Sequence, residues 1–103
     1  MATKAKRVSI QRACIQRLGV HRGALAAARV AQWAMVTADL GRVPTTVEYS
    51  EWWAITERTG WHHRALVRDA LGEDWPTVVE RVAEVVAAKK LRSPRAVQQL
   101  ALI

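Results

Sequence analysis

LGRVPTTVEYSEWWAITERTGWHHRALVRDALGEDW, residues 40–75, is where the fold of this chain is decided. Thr45 followed by Glu48 is a capping box: the threonine hydroxyl takes one free backbone N–H and the glutamate reaches back to another. Pro44 holds Val43 away from helical backbone, so a helix starts cleanly after it. Tyr49, Trp52, Trp53 and Thr56 then recur at i, i+3, i+4 and i+7, one face of a helix. Gly60 is expected to close that helix in the left-handed conformation. A second helix is expected over 62–71, stopped by Gly72. Its inward side would be His63, Val67, Ala70 and Leu71, which leaves His62, Arg64 and Arg68 to solvent.

Helix, short turn, helix is the outline of a DNA-binding helix-turn-helix, and equally of a structural helical hairpin. Charge shifts the balance. The chain has 103 residues and a formal net charge of +7. Residues 1–38 hold seven basic side chains and no acid, residues 39–88 hold five against all nine acids, and the remainder holds four more basic ones. Lysine and arginine segregated to the two ends suit a polyanion, because each one laid on a phosphate releases a counterion.

Outside the central stretch the pattern is helical too. Residues 1–6 are small, basic and expected to be flexible. Ile10, Cys14 and Leu18 mark a first amphipathic helix, with a break between Gly19 and Gly23. Residues 24–40 are apolar nearly all round, as in the middle of a bundle, yet too interrupted to cross a bilayer. Arg29 falls there on the side of Leu25, Trp33 and Val36, where an ion pair with a carboxylate is expected. Pro76 opens a further helix whose inward side reads Val78, Val82 and Val85, widened by Val79 and Val86. Ser93 and Pro94 signal a last short helix over 95–102. The expectation is one all-α domain, a compact bundle of about five helices spanning 1–103 around the helix-turn-helix-like pair at 40–75.

Leu40-Gly41-Arg42, Pro44-Thr45, Glu48-Tyr49, Leu66, Leu71-Gly72 and Trp75 together resemble the short helical repeat that accompanies HNH homing endonucleases. The resemblance covers about a third of the chain and implies a small DNA-binding unit. Leu71 stands where the repeat has phenylalanine, and an extra residue separates Gly72 from Trp75. The HNH nuclease motif itself is missing, since His62 and His63 lack the accompanying Asn and second spaced His. As a whole the chain resembles small proteins of actinobacterial phages, which implies the cytoplasm of a bacterial host.

Catalysis is not expected. Three histidines and one cysteine show no zinc spacing, and no glycine-rich loop is present to cradle a phosphate. No metal, cofactor or small-molecule substrate is implied, and no membrane partner. Cys14 reads as a small buried side chain. Among the five tryptophans, Trp33, Trp52 and Trp75 fit the core, while Trp53 and Trp61 are the candidates for an exposed interaction role.

The sequence therefore predicts a double-stranded DNA-binding protein of low specificity, a regulator or architectural protein. His62, Arg64 and Arg68 would approach the major groove. Arg42, Lys4, Lys6, Arg7, Arg12, Lys89, Lys90, Arg92 and Arg95 would hold phosphates. A homodimer is compatible with this reading. The alternative is a protein-interaction module or host-protein inhibitor docking through the acidic, Trp-bearing helix 46–58, whose Glu48, Glu51 and Glu57 would repel phosphate.

Overall fold

Around Trp33 the chain builds a helical core. The computed structural model describes the backbone of residues 2–92 and the side chains of residues 10–89. Five helices occupy that span, with no strand among the described residues: α1 (Ala2–Leu18), α2 (Val20–Leu40), α3 (Thr46–Trp53), α4 (Glu57–Leu71) and α5 (Trp75–Arg92). The expected all-α bundle is the architecture found. The expected last helix over 95–102 and the side chains of residues 1–6 lie outside the described residues.

Trp33 is fully buried, stacked on the Tyr49 ring (centroids 4.1 Å apart, planes 9° apart) and met edge-on by Trp75 at 5.3 Å. Val30, Val36, Val67, Val79 and Ala83 close around these rings. Aromatic pairs in such geometries contribute roughly 0.5–1.5 kcal/mol each beyond the area they bury. They join α2, α3 and α5 at one point. A second, smaller cluster of Cys14, Ala26 and Ala70 ties α1 to α2 and α4. Burial there pushes the Cys14 thiol up from its ordinary value.

The break between α1 and α2 is Gly19 alone, at φ +88°. Gly23, expected at the break, lies buried inside α2, where a Cβ would overlap the backbone of Cys14 and Ile15. Its task is close approach of two helices. On α5 the inward seam is Trp75, Val79 and Ala83, with Val78, Val82 and Val86 half-buried at its sides. Val85, expected inward, is exposed, because docking of Trp75 on Trp33 sets a register of i, i+4, i+8 from residue 75.

Residues 40–75 form the helix–turn–helix pair with different boundaries from those expected. Thr45 caps α3, with both halves of the capping box made: Glu48 N–H donates to Thr45 Oγ1 at 3.2 Å and Thr45 N–H to Glu48 Oε1 at 2.9 Å. Eight residues later α3 ends at Ala54, a left-handed alanine (φ 56°, ψ 44°), and not at Gly60. Thr56 lies off α3 and caps α4, accepting the Thr59 N–H at 3.2 Å. Gly60 sits buried within α4, where an added Cβ would overlap Ser50 Oγ of α3. The turn is thus only residues 54–56, and α4 starts five residues before the expected 62.

Candidate nucleic-acid interface

α4 has two faces. Gly60, Val67 and Ala70 are buried, and His63, Leu66 and Leu71 are half-buried beside them. Arg58, Trp61, His62, Ala65, Arg68 and Asp69 form the exposed face. The inward side therefore agrees with the sequence reading.

The fate of each expected contact residue differs. His62 is exposed as expected. Arg64 is half-buried, with its guanidinium carbon 4.9 Å from the Trp61 ring centroid and 5.5 Å from that of Trp75. It is a cation held between two rings, worth roughly 0.5–2 kcal/mol, and it does not stand out into solvent. Arg68 is exposed but donates to Glu73 Oε1 at 2.7 Å. Arg42 grips Glu48 with both ends of its fork, one contact at 2.8 Å, so it braces the cap of α3. The hydrogen bonds from Arg42 and then from Thr45 hold the Glu48 carboxyl down at about 2.

Arg12 on α1 and Lys89 near the end of α5 are exposed, and no described contact brings either to α4. The side chains of Lys4, Lys6, Arg7, Lys90, Arg92 and Arg95 lie outside the described residues.

The tryptophans exchange places. Trp61 is half exposed, as expected, and walls an open groove with Val43, Pro44, Val47, Arg64 and Trp75. Trp53 is half-buried against the core, with its Nε1 buried and unpartnered. Trp52, expected in the core, is exposed, and its Nε1 donates to Asp39 Oδ2 at 2.9 Å. Ending α3 at residue 53 leaves one inward position in its last turn, and Trp53 takes it.

Several cations that the sequence reading left aside lie nearer α4. Arg58 is on its first turn, exposed and in no described ion pair. Arg22 of α2 reaches Asp69 at 2.8 Å, and Arg17 of α1 approaches the Ala70 carbonyl at 3.5 Å. Arg29, expected in an ion pair, donates instead to Gln32 Oε1 at 2.8 Å. Thr56 directly before Glu57 was the available signal for Arg58, since a capping threonine followed by an acid marks a helix start.

Behind this face Tyr49, fully buried, bonds His63 Nδ1 at 2.8 Å. Burial pushes the Tyr49 hydroxyl up to about 12, so it stays protonated and donates, and His63 Nδ1 accepts. Burial first, then the fields of Arg29 and His62, push His63 below its ordinary value.

Among the described residues no cluster of three or more His, Cys, Asp or Glu could hold a metal ion. No helix among them is long and apolar enough to cross a membrane. No protein-family model, curated protein or solved structure matches the chain.

Proposed function

We propose that this protein binds double-stranded DNA, with α4 as the helix that enters or approaches the major groove and α3 behind it. The observation that carries the reading is the α3–turn–α4 unit. An eight-residue helix, a three-residue turn opened by a left-handed residue, and a separately capped second helix have the dimensions of a helix-turn-helix. The N-terminal half of α4 presents Arg58 and His62, where a recognition helix meets base edges. Specificity is low, because few unpaired polar groups stand on that face. The likeness of residues 40–75 to the repeat found with HNH homing endonucleases supports the same reading.

Fluorescence anisotropy of a labelled generic duplex at about 50 and 200 mM salt tests it. Binding that weakens by an order of magnitude or more across that range is expected. No binding at the lower salt overturns the proposal. A second reading, docking on a host protein, is favoured by the exposed side of α3, where Val47, Glu51 and Trp52 offer apolar and acidic groups that a phosphate backbone does not want. It becomes the account of choice if duplex DNA fails to bind.

A further inference from the structure

Along the exposed face of α4, Arg68 is taken by Glu73 and Asp69 by Arg22. Exposed over residues 58–65 are Arg58, Trp61, His62 and Ala65, and neither Arg58 nor His62 has a described ion-pair partner. Trp61 and Ala65, four residues apart, are neighbours on one side of the helix. The Trp61 side chain is 50% exposed, yet it is held in place. The Arg64 guanidinium carbon lies 4.9 Å from its ring centroid and 5.5 Å from that of Trp75, which is buried against Trp33. Core ring, cation and outer ring thus present an indole whose rotamer entropy is already lost on folding. Indole surface left in water gains by meeting another apolar group. Glu57, exposed one turn before Trp61 on the same side, repels phosphate, so a base edge suits this ring better than the DNA backbone.

In the major groove the apolar group on offer is the C5 methyl of thymine, which apolar and aromatic side chains contact. We propose that Trp61, with Ala65 beside it, covers thymine methyl groups and gives the protein a preference for A·T pairs. This rests on the DNA reading above and names what that site reads. Both residues lie in the first turns of α4, the part of a recognition helix that meets base edges. A methyl contact senses base composition without hydrogen bonds, which agrees with a face holding few unpaired polar groups. 5-Methylcytosine presents its methyl in the same groove, so it raises affinity in the same way.

The full chain is titrated at about 50 mM salt against an A·T-rich duplex and the same duplex with deoxyuridine for thymidine. A G·C-rich duplex is compared with and without 5-methylcytosine. Covering one methyl corresponds to about fourfold in affinity. Uracil is therefore expected to weaken wild-type binding about four- to tenfold, and 5-methylcytosine to tighten it comparably. Trp61→Ala is expected to lose most of that discrimination. Equal wild-type affinities overturn the methyl contact and leave the DNA reading standing. Discrimination undiminished in Trp61→Ala overturns the assignment to Trp61. Absence of wild-type binding to every duplex overturns both readings. Should Trp61→Ala fail to fold, NMR of the wild-type complex decides. Cross-peaks between the Trp61 ring and thymine methyl protons are expected, and their absence with the Trp61 resonances resolved overturns the contact.

Discussion

Ser50 Oγ lies where a side chain on residue 60 would begin, so α3 and α4 meet through a glycine. The other close atoms, Thr46 Cγ2 and Ser50 Cβ, stand 3.3 and 3.4 Å from that point, and a small shift accommodates them. Gly60→Ala is therefore expected to destabilise the protein by about 1–3 kcal/mol through overpacking. In a Ser50→Ala background the same change should be near neutral or gain up to about 1 kcal/mol, since alanine is the better helix former. A double-mutant cycle by urea denaturation measures the coupling, and additive effects would contradict the contact. Gly23 offers the contrast, because there the obstruction is the backbone of α1 and no side-chain truncation relieves it. Both glycines were misread from the sequence for one reason. A helical glycine that admits a neighbour and a glycine that ends a helix look alike until the neighbour is known, and Ala54 supplies the left-handed residue that glycine ordinarily would.

At the level of elements, the Tyr49–His63 bond is the polar link between α3 and α4. Since the folded state lowers the affinity of His63 for a proton, the unfolded chain binds that proton more readily. His63 thus contributes stability that is fully present above its ordinary value of 6.5 and is lost as pH falls through its lower folded value. His63→Gln keeps an acceptor for Tyr49 and removes the titration. Unfolding free energies at pH 7.5 and 5.5 should fall more steeply in the wild type than in this variant, and equal slopes would contradict the link. Glu48 acts in a separate window. Its carboxylate favours the fold above 4.5, and that contribution disappears as pH falls towards about 2. Helix existence was readable from periodicity for all five elements, and the α3 start was readable to the residue, because the Pro44–Thr45–Glu48 signal is local. Registers were harder. The inward face of α5 depends on where Trp75 meets Trp33, and five valines and three alanines at mixed spacing do not announce that contact.

Across the whole molecule, the segregation of charge along the chain does not carry over simply into space. Arg42 and Arg68, expected to meet DNA, answer Glu48 and Glu73, and Arg64 serves the Trp61–Trp75 packing. Arg17 of α1 and Arg22 of α2 instead reach α4. Composition located a positive excess, whereas ion pairing was decided by helix crossings that composition does not encode. The proposed DNA contact accordingly centres on Arg58 and His62 of α4. Amide chemical-shift mapping of the full chain against a generic duplex at low salt tests that placement most directly. Perturbations concentrated on residues 57–65 of α4 are predicted. Perturbations centred on Val47, Glu51 and Trp52 of α3, or none at saturating duplex, would contradict it.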